Sequence, residues 1–379
     1  MTLSRSLYGD EQHKLIQDFA AYGRKTHEIR IYMLDGKNKP HSYDPDTNHL
    51  PLKIRITFVK YIGISWTIKE ITGPYGASWY SVEVTINPKF LAGIRTYTTA
   101  ADYRDMDIVI RNFNLISRSI STVLGDFSCY LIKRIDYCVN FSLSELAPGC
   151  TYEQIMNLIK RSNVPSRFKE WDCYDNVAHR TKSRPGSFYL TNRSVHINCY
   201  SKYMQLLEQS QQNMARGYDP IPPHILEESK DIIRFEVQCK YIKTRKMMKS
   251  IDEAIDSSYN KYRELLHPIT CLDVITKYYW STIGRGDWYT LSGAISKLQE
   301  QHYNSQKEKR LIGVLRLVNT CRSITNARKT FTGSNLRIFN SSLKDLMGLR
   351  INPVTIPREW GIAMIKNPWN EFRRINNLG

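Results

Sequence analysis

Four stretches of the chain alternate cleanly between apolar and polar residues. Tyr80 to Ile86 sets Tyr80, Val82, Val84 and Ile86 against Ser81, Glu83 and Thr85. Leu131 to Phe141 sets Leu131, Ile135, Tyr137, Val139 and Phe141 against Arg134, Asp136, Cys138 and Asn140. Ser194 to Tyr200 divides into Val195, Ile197 and Cys199 on one side and Ser194, His196, Asn198 and Tyr200 on the other. Ile233 to Tyr241 divides into Ile233, Phe235, Val237, Cys239 and Tyr241, opposed by Arg234, Glu236, Gln238 and Lys240. A period of two predicts strands, and one apolar face per strand predicts an antiparallel sheet covered on one side only.

Helix-period segments lie between them, at Met106 to Leu124, Tyr152 to Ile159 and Lys202 to Met214, the last with Tyr203, Leu206, Leu207 and Met214 along one stripe. These helices are expected to cover the apolar face. Ser187 to Leu190, a polar Thr191-Asn192-Arg193 turn and the strand ending at Tyr200 predict a hairpin. The segment 164–186, with Pro165, Pro185 and several charges but no period, reads as a loop over the working face whose cations touch nucleic acid. Beyond Met248 the pattern turns helical, including Lys309 to Arg328 and Leu343 to Gly348. The expected fold is therefore α+β, a central antiparallel sheet with helices on one face followed by a mainly helical C-terminal domain. Its expected organisation is an N-terminal segment 1–50, a sheet domain 51–248 and a helical DNA-binding or accessory domain 249–379.

Charge narrows the partner. The chain carries 54 Lys+Arg against 36 Asp+Glu, a net charge of +18, and such an excess attracts polyanions, nucleic acid first among them. Eight scattered cysteines without a C-x-x-C pair argue against zinc and against a secreted disulfide framework. Met1 to His13 is polar and mixed in charge, so neither an export signal nor a membrane anchor is expected, and a bacterial cytoplasm fits best.

The chemistry-bearing residues share the polar side of the strands: Glu83, Asp136, His196, Tyr200 and Glu236, with Arg134 and Arg234. Three carboxylates on neighbouring strands can hold Mg²⁺ or Mn²⁺ through a few oxygens. A phenol with pKa near 10 is ionised about one part in a thousand at pH 7, a shortfall of ~4 kcal/mol, so a nucleophilic Tyr200 needs help. Ser201 is a candidate N-cap of the helix that follows, and Lys202 in its first turn can stabilise tyrosinate or charge growing on phosphate oxygens. The same residues also suit a plainer reading, with Tyr200 as a packing residue, Arg134/Asp136 and Arg234/Glu236 as ion pairs on a solvated face, and His196 as their neighbour.

These segments resemble the gene II replication initiators of filamentous phages and related phage and plasmid replication proteins. The resemblance rests on Tyr80 to Lys89, Lys133-Arg134-Ile135-Asp136, the hairpin from Ser187 to Asn198-Cys199-Tyr200-Ser201-Lys202, and Ile232-Ile233-Arg234-Phe235-Glu236-Val237, in that order. The run Arg350 to Pro357 extends it toward the C-terminus. The resemblance implies rolling-circle initiation: Tyr200 nicks one strand at an origin, becomes linked to the DNA 5′ end and frees a 3′-OH primer, and reverse transesterification rejoins the displaced strand. It implies Tyr200 and Lys202 as catalytic residues, Asp136, Glu236 and Glu83 as ligands of Mg²⁺ or Mn²⁺, and His196, Arg134 and Arg234 as candidate metal or phosphate contacts. Implied partners are origin DNA, double- and single-stranded, a host helicase, single-strand binding protein and DNA polymerase, and a second copy of the chain on a repeated origin. The His-hydrophobe-His metal motif of many rolling-circle nucleases is absent, and within the matched motifs Tyr200 is the one tyrosine in a Tyr-x-Lys context. A conjugative relaxase with the same chemistry and a non-catalytic origin-binding initiator are the rival readings.

Overall fold

The computed structural model of the chain describes residues 1–36, 38–43, 51–60, 62–94, 96–170, 173–175, 180–182, 186–215, 219–252 and 264–376. The fold is α+β with a large antiparallel sheet. In chain order come β1 (Thr2–Leu7), α1 (Glu11–Thr26), β2 (Ile29–Leu34), β3 (Pro40–Ser42), β4 (Lys53–Phe58), β5 (Ile64–Thr72), β6 (Ser78–Ile86), α2 (Pro88–Leu91), α3 (Met106–Ile120) and β7 (Leu131–Ser142). There follow α4 (Leu143–Leu146), α5 (Tyr152–Lys160), β8 (Lys169–Glu170), β9 (Cys173–Asp175), β10 (Arg180–Lys182), β11 (Ser187–Thr191), β12 (Val195–Ser201), α6 (Lys202–Ala215), α7 (Pro223–Ser229), β13 (Ile232–Lys240) and α8 (Tyr241–Asp252). The last part holds α9 (Pro268–Thr282), β14 (Trp288–Tyr289), α10 (Leu291–Gln299), α11 (Ser305–Cys321), α12 (Ile324–Lys329), α13 (Gly333–Gly348), β15 (Met364–Ile365) and α14 (Pro368–Ile375).

Compactness divides the chain into two units, Met1–Asp136 with Gln238–Cys271, and Tyr137–Val237 with Leu272–Gly379. In the first unit the strands run in the order β3-β2-β4-β5-β6-β1-β7. Period-two alternation drives Ile54, Ile56, Ile64, Trp66, Ile68, Val82, Val84 and Leu3 to one side, where they are buried. Helix α1 covers them with Leu15, Ile16 and Phe19, the Phe19 ring lying 5.2 Å from Trp66. Thr244 of α8 ties back to β7 through a 3.0 Å bond from its hydroxyl to the Ile132 carbonyl.

In the second unit β13, β12, β11 and β8 are successive neighbours. Their buried side, with Phe141, Phe235, Cys199 and Ile197, meets an aromatic cluster. Tyr279 of α9 sits 5.1 Å from Phe235 and 6.0 Å from both Phe141 and Trp369, ring to ring. Rings of this size dominate core energetics by the area they remove from water, so this cluster fixes the strand that carries Tyr200 from behind. The Arg350 to Pro357 run is structural: Ile351, Val354 and Ile356 are buried, and Asn352 donates to the Ile283 carbonyl and accepts from the Val354 N–H.

Several local expectations change. Leu131 is 61% exposed and Ile132 buried, because the register between β1 and β7 shifts at Thr2/Leu3 and the bulge reverses the alternation at the start of the strand. Tyr241 is exposed, since β13 ends at Lys240 and a helix begins. On α6 the stripe includes Ser210 rather than Met214: Ser210 is buried and accepts the Ile221 N–H, while Met214 is 55% exposed. The helix expected over Lys309 to Arg328 is two helices, broken where Arg322 turns to φ 54° and Ser323 caps the next. The described parts of 164–186 contain β8, β9 and β10, and the rest of that expected loop lies outside the described residues. Among the described residues, no helix is long and apolar enough to cross a membrane.

Candidate active site

The hairpin that presents Tyr200 is held at both ends. At its turn the Asn192 side chain accepts the backbone N–H groups of Ser194 (2.8 Å) and Val195 (2.7 Å), the local bonding that makes asparagine a turn residue. At its base the Tyr152 hydroxyl of α5 donates to the Gly186 carbonyl and accepts the Ser201 N–H at 2.8 Å, clamping β11 to β12. Ser201 caps α6 as expected, its hydroxyl accepting the Met204 N–H at 3.2 Å. The register sets Ser187 opposite Tyr200, Tyr189 opposite Asn198 and Thr191 opposite His196. Alternation therefore gathers the polar residues of both strands on one face.

On that face Tyr200 meets Glu236. The phenol donates to Glu236 Oε2 at 3.3 Å, and Asn198 Nδ2 approaches Oε1 at 3.5 Å. Two residues before Glu236, Arg234 donates from Nε to Asn140 Oδ1 at 2.8 Å, while one of its terminal nitrogens is buried without a hydrogen-bond partner, as is Asn198 Oδ1. Burial, then the Glu236 carboxylate, pushes the Tyr200 pKa far above that of an ordinary phenol, and Arg234 pulls the other way without offsetting them. Arg234 itself is held more firmly protonated than usual: burial opposes its charge, but Cys138, Tyr200 and Glu236 around it outweigh burial. The resting site is thus a neutral phenol beside a carboxylate that can take its proton and a guanidinium that can stabilise the resulting anion.

The other expected site residues are placed differently. His196 Nδ1 is engaged by the Tyr189 hydroxyl at 2.7 Å. Lys202 is buried, with Nζ 2.6 Å from Gln205 Oε1 on its own helix. In the first unit, Glu83 accepts from Lys69 at 2.8 Å and Lys133 at 3.1 Å, and although burial works against its charge these two cations hold its pKa below the usual value. Asp136 Oδ2 takes Arg134 at 3.0 Å and lies 3.8 Å from the Met1 amino group, and its Oδ1 is buried without a partner. Among the described residues, no group of three or more His, Cys, Asp or Glu side chains stands close enough to hold a metal ion. Glu83 and Asp136 lie in the first unit and Glu236 in the second, and each has its own partners.

Sequence pattern alone left Tyr152, Tyr189, Asn198 and Asn140 without roles. Tyr189 and Asn198 were within reach of it, since extending the alternation of Ser187 to Leu190 across the hairpin puts both on the polar face. Tyr152 was not, because its bond to the base of the hairpin joins residues 49 apart. Burial pushes the thiol of Cys199, the residue before Tyr200, up to about 12, so it carries no thiolate near neutral pH.

No family model and no curated protein matches the sequence. Among solved structures, the chain is similar to a rolling circle replication initiator protein from Geobacillus stearothermophilus, at 10% identity and a TM-score of 0.27, over 67% of this chain and 78% of that one. It is also similar to BexL, a di-domain ARO/CYC from the BE-7585A biosynthetic pathway, at 10% identity and a TM-score of 0.22, over 74% of this chain and 96% of that one. Likenesses at these scores carry no argument about fold or chemistry.

Proposed function

We propose that the chain is a rolling-circle replication initiator that nicks and rejoins DNA through Tyr200. The observation that carries the reading is the 3.3 Å bond from the Tyr200 phenol to the Glu236 carboxylate beside the buried Arg234 guanidinium. In the nicking step Glu236 accepts the phenol proton and the phenolate oxygen attacks a backbone phosphorus. The bond from phosphorus to the 3′ oxygen breaks, and that oxygen leaves as a 3′-OH after taking a proton from solvent. The product is a 5′-phosphotyrosine, which stores the energy of the broken bond, so a 3′-OH can later reverse the reaction without a nucleotide cofactor. Arg234 stabilises the phenolate and the charge that grows on the phosphate oxygens. The order of the four sequence motifs around these residues supports the same reading, and the net charge of +18 suits the substrate.

The test uses supercoiled DNA carrying the coding locus and its flanks, labelled and incubated with the full chain. The expected product is protein joined covalently to a 5′ end, with a free 3′-OH on the other side of the nick. Tyr200→Phe should abolish the adduct while leaving DNA retention in a filter assay unchanged. DNA binding with no adduct from the wild-type chain would favour a non-catalytic origin-binding initiator instead.

A further inference from the structure

The second unit carries a device separate from the tyrosine face. Helix α11 starts at Asn304, whose side chain accepts the Lys307 N–H at 2.9 Å, and α12 starts at Ser323, whose hydroxyl accepts the Asn326 N–H at 2.9 Å. Three residues, Thr330 to Thr332, then join α12 to α13, which opens on Gly333 at φ 55°, a left-handed conformation that glycine adopts without steric cost. Two helices joined by so short a turn, with a glycine opening the second, fit a helix-turn-helix.

The three helices form one packed body. Leu311, Val314, Leu315 and Val318 of α11 are buried, as are Ile324 and Ala327 of α12 and Phe339, Leu343 and Leu346 of α13. Phe331 in the turn stacks on Phe339 at 4.9 Å, Arg328 of α12 donates to Asn340 of α13 at 3.2 Å, and Arg310 of α11 pairs with Asp345 of α13 at 2.9 Å. These contacts use one side of α13. The opposite side presents Ser334, Arg337, Ser341 and Lys344, while Asn335 and Ile338 border the groove against α11, all six exposed. None of the five polar ones makes a side-chain hydrogen bond or ion pair with any described residue. Residues 305–350 hold ten Lys or Arg against two acids, Glu308 and Asp345, and Asp345 is already paired.

We infer that α13 is a recognition helix for duplex DNA, laid in the major groove with Ser334 and Arg337 against base edges. A helix about 10–12 Å across fits a groove about 12 Å wide. The exposed side chains of the outward face are of kinds that read base edges: Arg for guanine and short serines that permit close approach. Lys344 and Lys329, with Arg322 at the end of α11, are the cations for the flanking phosphates. A protein partner is not favoured, because Ile338 at the border of this face offers little apolar area to remove from water. The inference does not depend on the chemistry of Tyr200.

The experiment uses the full chain carrying Tyr200→Phe, so that bound DNA stays intact, in a selection from a randomised duplex oligonucleotide pool at about 150 mM salt. The chain should enrich one short motif. The double variant S334A/R337A, altered only at exposed positions, should melt like its parent and bind that motif ~10²-fold more weakly, while its affinity for unselected duplex changes less than about threefold. Lys344→Ala should instead lower the affinity for all duplexes alike and reduce the salt slope by about one. Enrichment of nothing by the parent chain, or of the same motif with the same strength by S334A/R337A, would overturn the assignment.

Discussion

Two acids on polar strand faces, Glu83 in the first unit and Glu236 in the second, look alike in sequence and are opposites in structure. Glu83 is gripped by two ammonium groups at 2.8 and 3.1 Å, and its pKa is lowered accordingly. Glu236 accepts from a phenol at 3.3 Å and an amide at 3.5 Å, contacts longer than the roughly 2.7–2.9 Å of a settled charge-assisted bond. The first acid is paired with two cations; the second accepts a phenol's hydrogen bond with the Arg234 guanidinium near it. Alternation tells which side of a sheet an acid occupies, and the neighbours supplied by other strands decide what it meets there.

The sharpest way to break the comparison is Glu236→Gln. If Glu236 removes the phenol proton, the variant should nick ~10³-fold more slowly near neutral pH. Because the Tyr200 pKa lies above the ordinary phenol value, the phenol stays protonated across the accessible range. The residual rate of the variant should therefore climb about tenfold per pH unit toward alkaline pH, and the wild-type profile should be flatter. Rescue by raising Mn²⁺ at constant pH, rather than by raising pH, would make Glu236 a metal ligand and remove it as the base.

Arg234 should come next. Arg234→Met removes the cation that faces the developing phenolate, and a loss of ~10² in single-turnover nicking is expected, as for one stabilising donor. Arg234→Lys keeps the charge but not the fork that reaches Asn140, and should retain a larger share of the rate. Thermal melts alongside the kinetics separate the roles: if activity in both variants falls only as the folded fraction falls, Arg234 is a structural cation.

How much of this was legible beforehand follows from what each signal encodes. Period two placed β6, β12 and β13 and the sidedness of Tyr200 and Glu236, because burial of one face is written in consecutive residues. It failed at Leu131, where a bulge changes the phase without changing composition, and at Met214, where a hydroxyl that accepts a distant N–H displaced an apolar side chain from the stripe. Each compact unit is assembled from two separated stretches, a pairing that no local window encodes. Strand pairs such as β1 with β6, which align Thr2 with Thr85, belong to no local window. The partners that give Glu83 and Glu236 their different fates come from other strands for the same reason.

The smallest effect is expected at Glu83, and it tests the comparison from the other side. Glu83→Gln leaves Lys69 and Lys133 beside a neutral acceptor, so two ion pairs weaken while the hydrogen-bond geometry is kept. The side chains are partly exposed, with Glu83 at 21% and the lysines at 27% and 33%, which limits the cost to about 1 kcal/mol. Part of that cost should vanish in high salt, since mobile ions screen such pairs. Nicking should stay within about threefold of wild type once melting is accounted for, because Lys69 and Lys133 already engage the Glu83 carboxylate. A Glu83→Gln chain that melts normally yet nicks as poorly as Glu236→Gln would dissolve the contrast and return Glu83 to the reacting centre, with Lys69 and Lys133 as the cations it orients there.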